Sequence, residues 1–335
     1  MPATSAQALW SLQSLTPVAQ SNLELHTALS AAGDVYIGGP PGAFNWPLPT
    51  NTIGDTSSEE LLVSKLDASG NPLYATAIGG TSAGSLTLDV AGDLYVYGCA
   101  EAKGFATTSG AFNGSAYVNS GDFVCKLSAA DGSIVFCSFP GTGGFENGGL
   151  TADSMGNVYF AESPLLNSPS PTQGALALGM QLVQVTKLGP MGAIVYRAQF
   201  SGATGTASPT SIAVDAQGDV WVAGYTTPGF PTTANAVLPS SPQSPAGFLA
   251  ELNPSGSALS YSTFTDGRGV YAQIAVDSIG AIYETDVTAA GVGILRKYSR
   301  GGTSIRGRNR DIYRTLLCSD LPESPDCHSI KQCRK

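Results

Sequence analysis

Short runs that alternate apolar and polar residues, separated by turn residues, make up most of the chain. In ALSYSTF (258–264), Leu259 and Tyr261 share one face while Ser260 and Ser262 share the other. That period of two predicts half-buried β-strands. The same text returns at a steady interval. An Asp-x-x-Gly turn is followed by a strand at Gly92, Gly156, Gly218 and Gly280, and the copy at Gly33 has Ser30 in place of Asp89, Asp153, Asp215 and Asp277. The glycines are 59, 64, 62 and 62 residues apart. The strands after them read DVYIGG, DLYVYG, NVYFAE, DVWVAG and AIYETD.

A second phrase keeps the same frame. It reads VSKLDASGNPLYATAI at 63–78, VCKLSAADGSIVFCSF at 124–139, VTKLGPMGAIVYRAQF at 185–200 and LAELNPSGSALSYSTF at 249–264. Each copy predicts strand, Gly-containing turn, strand. Between the two phrases lie FNWPLPTNT, GFATTSGAF, SPTQGAL and GFPTTANAV, whose Pro, Thr and Gly mark a loop. Each period therefore carries four strands, A to D. Four antiparallel strands per repeat predict the blade of a β-propeller. The expected fold is all-β, a propeller of about five repeats, each of about 62 residues. Parallel β-helix solenoids, the main rival, use much shorter coils.

The blade cores are expected at 28–85, 86–149, 150–210, 211–273 and 274–304. The last is abbreviated: Lys297 follows Gly280 by 17 residues, against 31 to 34 between corresponding residues elsewhere. Its fourth strand is doubtful. ALWSLQSL (8–15) lines up with ALSYSTFT (258–265), and could serve as the outer strand that closes the ring. The other reading is a piece of a larger ring or array. Closure matters because open sheets leave edges unpaired.

VDAQGDVWVAGYTTPGFPTTANAV, continued by GFLAELNPSGSALSYSTF, resembles the bacterial SBBP-type β-propeller repeat. That repeat runs from Asp-x-x-Gly-Asn through Gly-x-Thr and Phe-Pro-Thr-Thr to an Ala-Lys-Leu-x-Pro-x-Gly hairpin. The copy at 211–264 matches nearly throughout, and the first three match at turns and strands. NHL-type propellers share the turn but have a shorter repeat. The resemblance covers roughly 28–300. It implies the fold and an exported or surface-associated bacterial protein, and no activity.

Charge sharpens the partner classes. Residues 1–295 hold six Lys or Arg against 21 Asp or Glu, a net −15, while 296–335 hold ten against four, a net +6. An acidic body repels phosphate backbones, so nucleic acid is not an expected partner. No apolar run is long enough to span a membrane, and MPATSAQALWSLQSL lacks the basic and apolar regions of a signal peptide. The tail, 305–335, is basic, outside the repeat and expected to be disordered. Its Cys318, Cys327, His328 and Cys333 lack the paired spacing of a zinc site.

Cys125 and Cys137 flank the turn SAADGS and could face each other across a hairpin. Two buried free thiols are the expectation, because free Cys behaves as a small hydrophobe. A disulfide is the alternative.

Only His26 and His328 are available for histidine chemistry, which restricts triads and His-based general bases to those positions. The repeated Asp is read as a turn residue that accepts nearby N–H bonds, since calcium loops need more oxygen ligands. No catalytic, cofactor or metal residue is expected. The expected function is a non-enzymatic scaffold, extracellular or at the cell surface, that binds a protein or glycan and is a monomer if the ring closes. Trp46, Phe105 and Phe230, in the B–C loops, are the candidate ligand-face aromatics, with plugging of gaps between blades as the bland alternative. The competing function is a propeller lyase or hydrolase with carboxylates facing the axis. A purely structural array module is the third reading.

Overall fold

The structure is a computed structural model that describes residues 25–41, 47–57, 60–101, 105–112, 120–140, 147–164, 170–180, 182–299 and 304–305. Residues 8–15, Trp46 and the tail beyond 305 lie outside the described residues. Among the described residues every regular element is a strand, and no helix is long and apolar enough to cross a membrane.

The strands form five sheets in chain order. Sheet 1 joins β1 (His26–Leu29), β2 (Val35–Gly39), β4 (Glu60–Leu66) and β5 (Pro72–Gly79), with β3 (Asn51–Ile53) added outside β5. Sheet 2 joins β6 (Thr81–Leu88), β7 (Leu94–Glu101), β8 (Ser120–Leu127) and β9 (Ile134–Ser138). Sheet 3 joins β10 (Asn147–Ala152), β11 (Val158–Glu162), β13 (Val183–Leu188) and β14 (Ile194–Phe200), with β12 (Ala177–Leu178) outside. Sheet 4 joins β15 (Ala207–Val214), β16 (Val220–Thr226), β17 (Ala246–Leu252) and β18 (Leu259–Phe264). Sheet 5 joins β19 (Gln273–Val276), β20 (Ile282–Val287), β21 (Gly293–Tyr298) and β22 (Ser304–Ile305). The first strands of consecutive sheets touch, β1 to β6, β6 to β10, β10 to β15 and β15 to β19. The fold is propeller-like: antiparallel four-strand meanders arrayed around their first strands. The blade boundaries read from the repeat fall inside β6, β10, β15 and β19.

Local chemistry explains each phrase. In the A–B turn the Asp Oδ1 accepts the N–H groups two and four residues on: Asp89 from Ala91 and Asp93, Asp153 from Met155 and Asn157, Asp215 from Gln217 and Asp219, and Asp277 from Ile279 and Ala281. Ser30 Oγ accepts the Asp34 N–H at 3.0 Å in the first copy. The turn glycine takes a positive φ, from 77° at Gly156 to 90° at Gly33, which side chains resist.

The loop phrase covers the outer edge of strand D. Thr50, Thr108, Thr172 and Thr233 donate their N–H to the carbonyls of Ala75, Cys137, Arg197 and Ser262. In the last three, the Thr Oγ1 also accepts that residue's N–H, each at 3.0 Å. An exposed edge that would template aggregation is thereby capped. In sheets 1 and 3 the same segment supplies the additional parallel strand, so four strands per repeat is exceeded there.

Cys125 and Cys137 form a disulfide, which corrects the expectation of free thiols. The two residues sit directly opposite in the β8–β9 register, with Cα atoms 4.1 Å apart. Both backbone groups of Cys137 bond Thr108. This is therefore a non-hydrogen-bonded pair, the closer of the two pair types in an antiparallel ladder. Cys99 is free.

Seams between sheets repeat as well. The hairpin glycine of one sheet packs under a D-strand aromatic of the sheet before it: Gly132 under Tyr74, Gly192 under Phe136 and Gly256 under Tyr196. Thr76 and Ser138 hydroxyls add bonds of 2.7 Å to the carbonyls of Gly132 and Gly192. Gly70, the hairpin glycine of sheet 1, has no described residue within 4 Å of a Cβ placed on it.

Candidate functional site

The A–B turns and C–D hairpins lie at one end of the sheets. The B–C and D–A connections lie at the other, the loop face. The last row of side chains before the loop face differs between sheets. Position five of strand B is Gly39, Gly98 and Gly224 in sheets 1, 2 and 4, but Glu162 and Asp286 in sheets 3 and 5.

In sheet 4 the row runs Gly224, Phe248, Phe264 across paired strands. Phe230, from the loop, stacks on Phe248 with centroids 4.4 Å apart and lies edge-on to Phe264. Phe230 is only 4% exposed and belongs to the core between sheets 3 and 4. In sheet 2, Gly98 pairs with Phe123, and half-buried Phe105 packs on Phe123 and Phe139 at 5.2 and 5.8 Å. Two of the three candidate aromatics thus face the interior, and Trp46 lies outside the described residues. A Cβ on Gly224 would come within 2.1 Å of the Ser208 carbonyl oxygen and 2.8 Å of Phe248 Cε1, so the glycine makes room for both the first strand and the ring opposite.

Sheet 3 replaces this entire arrangement. Its row is Glu162, Gln184, Gln199, in direct register across β11, β13 and β14. No aromatic residue occurs between 161 and 195. Gln184 Nε2 donates to Glu162 Oε1 at 2.5 Å, and Gln199 Nε2 donates to Gln184 Oε1. One row below, Thr186 pairs with Arg197. Glu162, Gln184, Arg197 and Gln199 are each at most 4% exposed. The sheet 2 side supplies Tyr97 and Asp122, both buried, and Tyr97 packs on Phe160 with centroids 5.0 Å apart.

The electrostatics tie these groups into one cluster. Burial pushes the Tyr97 hydroxyl well above its ordinary range, and the Asp122 and Glu162 charges add to the effect. Burial holds the Arg197 guanidinium below its usual value, opposed by the Glu162 charge. Arg197 Nε and Nη2 are buried without a hydrogen-bond partner among the described residues. Such an orphaned charged donor is costly.

The acids of sheet 5 do other work. Asp286 accepts the Gly269 N–H at 2.8 Å and so fastens the connection between sheets 4 and 5. Glu284 takes the Tyr298 hydroxyl at 2.8 Å and pairs with Arg296 at 3.1 Å. Burial raises the Glu284 carboxyl, against the Arg296 charge and the Tyr298 bond. Arg296 also pairs with Asp266. His26 begins β1, half-buried, its Nε2 without a partner among the described residues.

The sequence phrases contained the sheet 3 signal, since their B strands end G, G, E, G and D. Gln184, Gln199 and Arg197 were not singled out by sequence.

No family model and no curated protein matches the chain. Solved structures do resemble it. Hydrazine synthase of Kuenenia stuttgartiensis shares 9% identity over 83% of this chain and 64% of that chain, with a TM-score of 0.45. A polysaccharide lyase, a PL25 ulvan lyase bound to a GlcA–Rha3S ligand, shares 11% over 86% and 70%, with a TM-score of 0.43. A Dyadobacter fermentans protein of unknown function shares 10% over 82% and 74%, with a TM-score of 0.38. The chain spans 61 to 64% of the length of hydrazine synthase and of two apocarotenoid oxygenase structures that also resemble it.

Proposed function

We propose that the chain is a non-enzymatic, SBBP-type β-propeller scaffold that binds a protein or glycan through its loop face, outside the cell or at its surface. The observation that carries this reading is the row Glu162–Gln184–Gln199, where one sheet gives up the aromatic filling of its neighbours for planar polar groups beside the loop face. The Cys125–Cys137 disulfide supports an oxidising compartment. An enzyme with axial carboxylates would draw them from the first strand of each sheet. The five first strands read HTAL, TSAGSLTL, NGGLTA, ASPTSIAV and QIAV, without Asp or Glu.

Immobilised protein, challenged with native bacterial envelope extract and with a glycan array, retains a saturable ligand and leaves it chemically unchanged. Unsaturated or shortened products from a polysaccharide panel would replace this reading with the lyase or hydrolase one.

We also read the five sheets as blades of a ring. The glycine–aromatic seams support this at sheets 1–2, 2–3 and 3–4, and Gly70 has no such neighbour among the described residues. Solution scattering separates the forms: a compact monomer fits a latched ring, and an open or dimer-completed particle fits a piece of a larger one.

A further inference from the structure

We propose that the loop-face end of the seam between sheets 2 and 3 is a binding subsite for a neutral, polyhydroxylated saccharide unit, held by Glu162, Gln184, Gln199 and Arg197. This rests on the reading of the chain as a binding module and names the ligand class and the place.

The location follows from the repeat. At this point in sheets 2 and 4 a phenyl ring from the sheet's own loop, Phe105 or Phe230, lies on a pair of phenylalanines. Sheet 3 changes the loop residue, the pair beneath it and the glycine opposite together. The exchange sets planar polar groups in the row where sheets 2 and 4 set phenyl rings. Ser163 and Leu182, the next residues toward the loop face, are half-buried, so the row stands one residue from partial solvent exposure.

The ligand class follows from the donor set. Arg197 offers only donors, and its Nε and Nη2 form one edge of the guanidinium, both without partners among the described residues. Glu162 and Asp122 carboxylates only accept, and the two carboxamides do both. A second anion would add charge to a buried cluster that already holds two carboxylates against one guanidinium. A hydroxyl both donates and accepts, so a vicinal pair can take the Arg197 edge and give to a carboxylate or carboxamide. Planar side chains with two polar atoms each match adjacent hydroxyls in the way that a bidentate fork matches a carboxylate.

The test uses the full chain against an array of neutral oligosaccharides, and against free glucose, galactose, mannose, rhamnose and fucose by saturation-transfer NMR. The double variant Gln184→Phe with Gln199→Phe restores the aromatic row of sheets 2 and 4. Arg197→Met removes the donors while keeping length. Expected is binding of at least one neutral saccharide by the wild type, and loss of ten-fold or more in affinity in each variant that melts like the wild type. If the double variant does not fold, Arg197→Met decides. No binding of any neutral saccharide overturns the proposal and means that ordered water completes the cluster. Binding that survives in the folded variants also overturns it, while leaving the scaffold reading intact. Retention of an envelope ligand without any saccharide binding separates failure of this subsite from failure of that reading.

Discussion

Gly132→Val lowers the stability of the fold by about 4 kcal/mol, whereas Gly70→Val lowers it by about 2. Both glycines sit in C–D hairpins with positive φ, 72° and 86°. Both variants therefore meet the cost of forcing a β-branched residue into left-handed backbone, about 1–3 kcal/mol. Among the described residues, only Gly132 adds a collision. A Cβ there would approach Tyr74 Cε2 to 2.5 Å and Thr76 Oγ1 to 2.8 Å, and neither can retreat. Tyr74 is buried in the core that also holds Leu61 and Val63, and Thr76 spends its hydroxyl on the Gly132 carbonyl. Overpacking of this kind adds about 1–3 kcal/mol. Urea denaturation of the two variants side by side measures the seam between sheets 1 and 2 as the difference between them. Equal losses would mean that the aromatic–glycine contact contributes nothing to holding neighbouring sheets together.

The same seams explain what could be read from sequence and what could not. The turns and strands were legible because their chemistry is local. Asp at the first position and Gly at the fourth fix a turn whatever surrounds them, and the alternation of Leu259, Ser260 and Tyr261 fixes a strand. The Thr of the loop phrase looked like loop composition. Its role appears only when Thr172 or Thr233 is seen bonded to both backbone groups of a D-strand residue about 25 to 29 positions away. The Cys125–Cys137 bond depended on register, which decides whether the pair is of the close or the wide type.

Gln199 was hidden by alignment. The repeated phrases, laid side by side without gaps, set Phe200 against Phe139 and Phe264. Strand pairing sets Gln199 there instead, since Gln184 faces Gln199 while Phe248 faces Phe264. The hairpin of sheet 3 is one residue shorter than that of sheet 4, so every D-strand residue changes face relative to the ungapped reading. Phe200 consequently belongs to the core shared with sheet 4, where it meets Phe230 edge-on at 6.1 Å. A one-residue difference in a surface turn thus turned a repeated aromatic into a polar row, and no inspection of residue types alone would reveal it.

Asp153→Ala is expected to cost about 2–4 kcal/mol at neutral pH, more than the same change at Asp277. Asp153 is 8% exposed. Its carboxylate accepts four bonds: from the N–H groups of Met155 and Asn157 at 2.9 Å, the Asn157 side-chain amide at 2.7 Å and the Tyr159 hydroxyl at 2.8 Å. Asp277, by comparison, accepts two backbone N–H groups and one tyrosine hydroxyl at 3.1 Å in a more exposed setting. Burial pushes the Asp153 carboxyl up, but the Asn157, Tyr159 and Met155 bonds together outweigh it and hold the group below its ordinary 3.8. A depressed folded-state value means that the stabilisation is present above the ordinary carboxylate range and is lost as pH falls through the folded value. The stability gap between wild type and Asp153→Ala should therefore be full at pH 7 and shrink below about pH 4. Urea midpoints measured across that range test both parts. A gap that stays constant to pH 2 would assign the loss to turn backbone rather than to the ionised carboxylate. A gap near zero at pH 7 would show that the Asn157 and Tyr159 bonds are replaced by water at no cost.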